Sequence, residues 1–499
     1  MSVNGHALRA VQAVRVQCGL PPIVVFVATV VIRLTSLSAT GGPESRAARV
    51  TGFWSALRPM SSSGVPDASR RSIPCFLADT WWFALTGRLP DERLAELAQL
   101  RVAQGFTAVQ IVVGIPPEVA PGNRNAWSAV GPAWFADGRP NPGYLARARE
   151  KIQYLNEVGL TAIVYGCWGH QLAWLGVPGA RRWWEQVVAR LDDLDVLYCV
   201  TGETNLWIGS EDALLPDRTT DDLRTVAVRT RVPGRAKAAL RLVRGAYVRN
   251  RHAAALRARR AGWSEVLAGL AASTDRPVLA HPVPGQTSAD ALDGDDLLAA
   301  VTVQTGHDQA SRPLLWEWPA RVAARFPGRP FINLEPWYEG IRDDFRTADQ
   351  LFAYWVSMLG GAAAHCYGAH GMWNAGDGSF LSHWGKQSLG EAAGLPTPAL
   401  LGASHRVLLA AGWPDPAATT TVDADGGRLL SITRTAADGT RTATYFPDAS
   451  AAGAATTVGG AANAGPASAG TKSAERYFAP DLGEFVPHAV REGPLVVLT

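Results

Sequence analysis

The sequence has few cysteines, and their spacing does not indicate a disulfide framework or a zinc site. There are five in 499 residues, with no Cys-x-x-Cys pair, whereas metal sites and disulfide scaffolds show clustered cysteines. Four lie within or just after the apolar runs described below, where buried thiols are expected. These four are Cys75, Cys167, Cys199 and Cys366, and the fifth is Cys18.

No stable membrane span is predicted. The apolar run from Gly19 to Ile32 follows Arg9 and Arg15; it is short for a bilayer but fits the apolar region of a signal peptide. Ser36 to Ala39 offers a cleavage region, so residues 1–50 are predicted to be a targeting segment and secretion is the preferred interpretation. The alternative is a start assigned too early, with Met60 beginning a cytoplasmic enzyme.

A strong charge imbalance and cofactor motifs are also missing. The formal net charge of +3 is too small to indicate nucleic acid as a partner. No Gly-rich loop is followed by Lys-Ser or Lys-Thr, so no nucleotide, flavin or other cofactor is predicted. The segment from Arg224 to Arg260 is rich in arginine and has no acidic residue; it fits an anion-binding patch or solvated helix faces, and we treat it as surface.

Apolar residues make up 47% of the chain, and from Ile73 onward short apolar runs alternate with longer amphipathic stretches. This pattern predicts repeated βα units, and eight units in about 300 residues predict a closed (β/α)8 barrel over residues 51–404. Two of the predicted helices are Asp91 to Gln104 and Pro142 to Val158, the second ending at Gly159. The predicted strands are Ile73–Ala78, Ala108–Val113, Thr161–Tyr165, Val196–Val200, Pro277–Ala280, Ala300–Gln304, Pro330–Leu334 and Ala362–Tyr367.

The last part of the chain follows a different pattern. Gly426 to Arg434 and Arg441 to Phe446 flank Asp438-Gly439, a hairpin signal, and Leu495 to Leu498 is also strand-like. The stretch between them, residues 448–473, is rich in Ala, Gly, Ser and Thr and predicts a loop. Residues 405–499 are therefore predicted to form a small β-sandwich-like domain.

Two glutamates follow predicted strands four and seven. In a barrel of this kind the active site lies at the carboxyl ends of the strands, and glycoside hydrolysis requires two carboxyl groups. Glu203 follows the fourth strand and Glu335 the seventh. An isolated glutamate at a strand end more often forms a salt bridge or caps a helix, but the two together favour a catalytic pair.

Other polar and aromatic residues near the strand ends are candidates for carbohydrate binding. Tryptophan is abundant, with 18 residues, and its flat apolar face suits sugar rings, although packing in the core is the usual role of any single one. The candidates are Asp79, Trp81, Trp82, Trp168, His170, Asn205, Gln304, His307, Asp308, Asn333, Trp337, Tyr338, Tyr367, His370 and Trp373.

Two other functions fit parts of this pattern. A metal-dependent barrel hydrolase would use the histidines and the aspartate at strand ends, but the His-x-His expected after the first strand is replaced by Asp79-Thr80-Trp81. The ligands would be His170, His281, His307, Asp308 and His370. The other alternative is a carbohydrate-binding protein without turnover. The preferred interpretation uses no metal.

Four segments resemble the apiosidase-like glycoside hydrolases, and the likeness covers about residues 70–385. They are Phe76 to Trp82, Gln104 to Gln110, Gly202-Glu203 and Tyr367 to Trp373. Residues 474–484 are similar to the end of the β domain that often follows these barrels. The resemblance implies hydrolysis with retention, often of pentose or furanose sugars in complex polysaccharides, with the acid/base at Glu203 and the nucleophile at Glu335.

The sequence departs from the family pattern in two places. The fourth-strand acid is often an aspartate after two glycines, whereas Thr201-Gly202-Glu203 puts a longer side chain there. The Arg-rich segment 224–260 has no match in the family. Because the loops after the strands set specificity, apiose itself is not assumed to be the substrate.

Overall fold

The computed structural model describes residues 73–135, 137–206, 256–448, 475–487 and 493–499. The signal-like run, Met60, most of the Arg-rich segment and nearly all of the stretch 448–473 lie outside these residues. None of the helices described is long and apolar enough to cross a membrane.

Eight parallel strands form one sheet, and the predicted barrel with its C-terminal β domain is confirmed. The strand order is β5-β4-β3-β2-β1-β8-β7-β6, and the Ala299 N–H joins the two ends of this order by donating to the Val278 carbonyl at 2.9 Å. The strands are β1 (Leu77–Thr80), β2 (Ala108–Val112), β3 (Thr161–Tyr165), β4 (Val196–Cys199), β5 (Val278–Leu279), β6 (Val301–Gln304), β7 (Phe331–Glu335) and β8 (Ala364–Cys366).

The bounds of two strands differ from the prediction in a way that matters for the site. β1 begins at Leu77 rather than Ile73 and includes Asp79, which pairs with Val109. β7 includes Glu335, which was expected just beyond the strand. Apolar runs locate strands but do not mark their ends, because a polar side chain is tolerated inside a strand where it finds a partner.

Helices follow the strands and cover the sheet. The helix at residues 142–157 begins where the Asn141 side chain accepts the Gly143 N–H, with Pro142 in the first turn, both common at helix starts. It is followed by Gly159 with φ 98°, as predicted. The helices are α1 (Asp91–Ala103), α2 (Pro142–Glu157), α3 (Leu172–Leu191), α4 (256–273), α5 (Ser288–Ala291), α6 (Leu314–Arg325), α7 (Thr347–Gly360), α8 (Leu389–Ala393) and α9 (Thr397–Ala410).

A six-stranded antiparallel sheet follows α9, which itself crosses residue 404. Gly426 and Gly427, predicted to begin a strand, instead form a two-residue turn with φ 55° and 85°, a conformation that glycine adopts readily. The strands are β9 (Thr419–Asp425), β10 (Arg428–Thr435), β11 (Thr442–Phe446), β12 (Arg476–Ala479), β13 (Glu484–Val486) and β14 (Leu495–Leu498).

One face of this sheet packs on the barrel helix α7. Trp355 of α7 stacks on Tyr445 with ring centroids 6.3 Å apart and contacts Phe478 at 6.0 Å. Among the described residues the layer opposite the sheet is therefore a helix, where a second sheet was expected. Aromatic contacts of this size fix the β domain to the barrel wall.

Candidate active site

A cavity of about 350 Å³ opens at the carboxyl ends of the barrel strands. Its lining comes from the ends of all eight strands and the loops that follow them, as expected for the ligand site of such a barrel. The lining residues are Trp82, Pro117, Glu118, Trp168, Glu203, Pro284, Gln304, Thr305, Gly306, His307, Asp308, Glu335, Tyr338, Ile341, Arg342, Trp373 and Trp384.

Glu335, the last residue of β7, lies deep in this cavity with 6% of its surface exposed. The Tyr338 N–H donates to Nδ1 of His307 at 3.3 Å, so Nδ1 is the unprotonated ring nitrogen and Nε2 carries the hydrogen. Nε2 of His307 then donates to Oε1 of Glu335 at 2.8 Å. Nε2 of His281 lies 3.5 Å from Oε2 of the same carboxylate.

These donors hold Glu335 ionised. Burial alone would raise its pKa, but the hydrogen bond from His307, the adjacent His281 imidazole and Tyr338 together bring the pKa below its ordinary value. Burial also lowers the pKa of His281 to about 4. His281 is therefore neutral at pH 7, where it can offer a ring N–H without a fixed charge.

Glu203 follows β4 in a left-handed backbone conformation with φ 42°, which costs energy for a residue with a side chain. The preceding Gly202 packs against the Trp168 ring so closely that a Cβ atom would lie 2.3 Å from it. Nε1 of Trp168 donates to Oε2 of Glu203 at 2.9 Å. The tight turn and the indole thus aim the carboxyl group into the cavity.

Glu203 has the opposite electrostatic character to Glu335. Burial and the negative charge of Glu335 raise the pKa of Glu203 to about 8, against the lowering effect of the Trp168 and Gln304 hydrogen bonds. The surroundings therefore favour the protonated form of Glu203 and the ionised form of Glu335. Such a pair can donate a proton with one group while the other attacks carbon or activates water.

Nine of the residues selected from the sequence line this one cavity, although their roles stay predictions. The two glutamates are joined by Trp82, Trp168, Gln304, His307, Asp308, Tyr338 and Trp373. Tyr338 packs its ring on His307, with centroids 4.5 Å apart. The structure thus brings together side chains from six of the eight strand ends.

The other selected residues do not line the cavity, and most have partners elsewhere. Oδ2 of Asp79 accepts hydrogen bonds from Arg101 at 2.6 Å and Trp81 at 2.8 Å. The Tyr367 hydroxyl donates to Glu339 at 2.6 Å, and the Asn333 amide donates to Thr305 at 3.0 Å. These groups tie the barrel together behind the site.

The remaining four also lie outside the cavity lining. His170 is buried beside Trp174, and His370 is buried beside Trp373. Asn205 accepts the Val283 N–H at 3.1 Å. Trp337 is buried, with its Nε1 donating to Ser311 Oγ at 2.8 Å.

Several lining residues were not selected for carbohydrate binding from the sequence. Glu118 lies in the loop after β2 with φ 70°, and its carboxylate is 3.7 Å from Nε2 of His383. Arg342 lies over the Trp384 ring at 4.8 Å. Two consecutive prolines before Glu118 mark an irregular loop in the sequence, but nothing local indicates that the loop turns into the site.

The histidines proposed as metal ligands are divided between two locations. His281 and His307 contact Glu335, whereas His170 and His370 lie outside the cavity lining. Within the described part of the chain, no three side chains of His, Cys, Asp or Glu converge as a metal site requires.

Comparisons with known proteins identify a family for the chain and solved structures with a similar fold. The family model of the apiosidase-like catalytic domain matches residues 72–390. A solved glycoside hydrolase is similar at a TM-score of 0.59 and 14% identity, over 85% of this chain and 92% of its own. A glycoside hydrolase family 5 protein from Bacteroides vulgatus is similar at a TM-score of 0.59 and 13% identity, over 85% of this chain and 88% of its own. No curated protein sequence matches the chain.

Proposed function

Because the chain belongs to the apiosidase-like glycoside hydrolases, we propose that it cleaves a glycosidic bond with retention, using Glu335 as the nucleophile and Glu203 as the acid/base. The supporting observation is that both carboxyl groups line one cavity, in surroundings that raise the pKa of Glu203 and lower that of Glu335. A double displacement requires this pair, since one group must attack carbon while the other protonates the leaving oxygen.

In the first step, an oxygen of ionised Glu335 attacks the anomeric carbon of the bound sugar. The bond to the leaving group breaks, and Glu203 gives its proton to the departing oxygen. The products are a glycosyl ester on Glu335 and a free alcohol of the leaving sugar. His307 donates to Glu335 and His281 lies 3.5 Å from its other oxygen, and both favour the ionised carboxylate before this step and its departure in the next.

In the second step, Glu203 is ionised and takes a proton from water as the water attacks the anomeric carbon. The ester bond breaks and Glu335 returns as a carboxylate. Once the glycosyl ester forms, Glu335 no longer carries the charge that helps to raise the pKa of Glu203. The pKa of Glu203 therefore falls, so that Glu203 stays ionised after it has given up its proton and can serve as the base.

The substrate we propose is a carbohydrate, a pentose or furanose sugar within a complex oligosaccharide or polysaccharide. Four tryptophans line the cavity, at positions 82, 168, 373 and 384, and their flat faces suit the apolar sides of sugar rings. The cavity also presents Gln304, Asp308 and Glu118, which can accept or donate hydrogen bonds to hydroxyl groups.

The stereochemistry of the first product tests this proposal. A panel of nitrophenyl pentosides and hexosides, furanosides included, would be mixed with the protein and followed by proton NMR before mutarotation proceeds. We expect the released sugar to keep the anomeric configuration of the substrate. Release of the opposite anomer would indicate an inverting mechanism, in which Glu335 activates a water that attacks the sugar. Absence of hydrolysis across the panel and across plant polysaccharides would count against the glycosidase assignment.

A further inference from the structure

We propose that the enzyme is exo-acting: its cavity is a blind pocket that accepts one terminal sugar at the non-reducing end of a chain. This inference rests on the proposed function and adds the mode of action. It is carried by three independent features, which are the links between neighbouring loops, the bridges at the rim and the different depths of the two glutamates.

Contacts between neighbouring strand ends run all the way round the site. An endo-acting enzyme needs a groove open at both ends, so that a polymer can lie across the strands. Here each strand end and its loop contact the next in the described part of the chain. The contacts are Gly87 N to Trp127 O (2.7 Å), Gln171 Nε2 to Ile115 O (2.9 Å), Gly169 N to Gly202 O (2.7 Å), Thr204 N to His281 O (2.7 Å), Pro284 packed on Gly306, Tyr338 N to His307 Nδ1 (3.3 Å), Glu339 N to Gly368 O (2.8 Å) and Phe83 N to Trp373 O (3.3 Å).

Two further contacts close the rim between loops that bear the cavity lining. The Glu118 carboxylate lies 3.7 Å from Nε2 of His383, which joins the loop after β2 to the loop after β8 past the intervening loop of β1. Nη1 of Arg342 donates to the His307 carbonyl at 3.3 Å, and its guanidinium covers Trp384. The loops after β6, β7 and β8 are thereby tied together, and both bridges meet at the loop after β8, where His383 and Trp384 are consecutive.

Backbone geometry agrees that these rim positions are held in place. Glu118 and Arg342 have φ values of 70° and 54°, in the left-handed region that residues with side chains seldom occupy. Such conformations persist where the surroundings hold them and concentrate at functional sites. The rim bridges are therefore part of the pocket and shape its entrance.

The depths of the two glutamates orient the sugar. Glu335 belongs to β7 and is 6% exposed, whereas Glu203 follows β4 on a turn and is only half-buried. The attacked carbon therefore lies towards the floor and the leaving oxygen towards the mouth. A sugar bound this way has its non-reducing side towards the floor, and among the described residues the cavity of about 350 Å³ is at the small end of the range for ligand sites, which suits a single terminal sugar.

The test uses wild-type protein and hexasaccharides carrying a fluorescent label at the reducing end. Arabinan, xylan, mannan, galactan and glucan oligomers would each be supplied with a free non-reducing end and, as matched controls, with that end blocked by an isopropylidene group. We expect the earliest labelled product to be the pentasaccharide, released with one monosaccharide, and hydrolysis of the blocked controls to be at least about 100-fold slower. Early labelled di- to tetrasaccharides, or equal cleavage of blocked and free chains, would overturn the inference while leaving the glycosidase assignment standing.

Binding gives a second readout that does not depend on turnover. The four cavity tryptophans would report sugar binding by fluorescence in the Glu335→Gln variant, titrated with the mono-, tri- and hexasaccharides of the same five series. A blind pocket predicts affinities that stay within about tenfold of one another along a series that binds. Affinity that increases more than about 100-fold from the mono- to the hexasaccharide would show an extended groove and contradict the inference. No hydrolysis of any glycan, with no binding, would instead contradict the proposed function.

Discussion

The ends of strands β4 and β7 carry the same side chain in opposite surroundings. At β7, Glu335 lies on a regular strand and faces His281 and His307. At β4, Glu203 lies on a strained turn beside the Trp168 indole and faces the charge of Glu335. Burial raises the pKa of both carboxyl groups; the neighbours of Glu335 reverse this effect, whereas the charge of Glu335 adds to it at Glu203.

The same comparison explains why the strand ends are not interchangeable. Two histidines favour the ionised form of one carboxyl group, while burial and a nearby carboxylate favour the protonated form of the other. Each glutamate also influences its partner, because the charge of Glu335 helps to keep the proton on Glu203. The predictions below disturb one side of this pair at a time.

The largest effect is expected from Glu335→Gln, which removes the attacking carboxylate. We expect kcat for an aryl glycoside to fall by about 10⁴-fold or more, because no covalent intermediate can form. The measurement is steady-state hydrolysis with circular dichroism to verify folding. Glu317→Gln is the matched control, since Glu317 lies on helix α6 and pairs with Arg321 away from the site; a similar loss in both variants would refute the assignment.

Glu203→Gln should reduce activity by about 10²- to 10⁴-fold. The loss should be larger for substrates with a poor leaving group, because its oxygen must be protonated as the bond breaks. In the wild-type enzyme, activity requires protonated Glu203 and should decline as pH rises through about 8. The variant has no such proton to lose, so this alkaline decline should disappear. Both effects are measured by pH–activity profiles of the wild type and the variant on substrates with good and poor leaving groups. If the alkaline decline persists in the variant, it is caused by the titration of a group other than Glu203.

His307→Ala should change the acidic limb of the pH–activity profile. Loss of its hydrogen bond to Glu335 raises the pKa of that carboxyl group, so the acidic limb should move up by about one to two pH units. Activity at pH 5 should fall by about 10- to 100-fold, with less loss at pH 7. The alkaline limb, which reports Glu203, is the internal control. Movement of that limb alone would show that His307 does not act through Glu335.

The smallest effect is expected from Trp168→Phe, which keeps the aromatic ring but removes the donor to Glu203. That hydrogen bond lowers the pKa of Glu203, so without it the alkaline limb should move up by up to about one pH unit. The change in kcat at neutral pH should be about threefold or less. A downward movement of the limb would contradict the role given to the indole.

Much of the fold could be predicted from the sequence because strand and helix patterns repeat. The same argument located Glu203 and Glu335, since a residue just after a buried run lies near the mouth of a barrel. It could not tell which neighbouring polar residues enter the cavity. Asp79 is the clearest case: it lies inside β1 and bonds Arg101 of α1, because a shift of one residue moves a side chain to the other face of a strand.

Residues that approach from distant loops could not be found in the same way. Glu118 reaches the cavity through the turn after two prolines, and its partner His383 is more than 250 positions away. Trp384 and Arg342 meet only because the loops after β7 and β8 contact each other. The protonation states of the two glutamates likewise depend on neighbours that only the folded chain supplies.

Trapping of the covalent intermediate tests the central claim most directly. The protein would be incubated with an activated 2-deoxy-2-fluoro glycoside of the sugar that it releases, then digested and examined by mass spectrometry. We predict one added glycosyl group, on the peptide that contains Glu335, and no adduct in Glu335→Gln. An adduct on Glu203 or on another residue, or none despite time-dependent inactivation, would contradict the roles assigned to the two carboxyl groups.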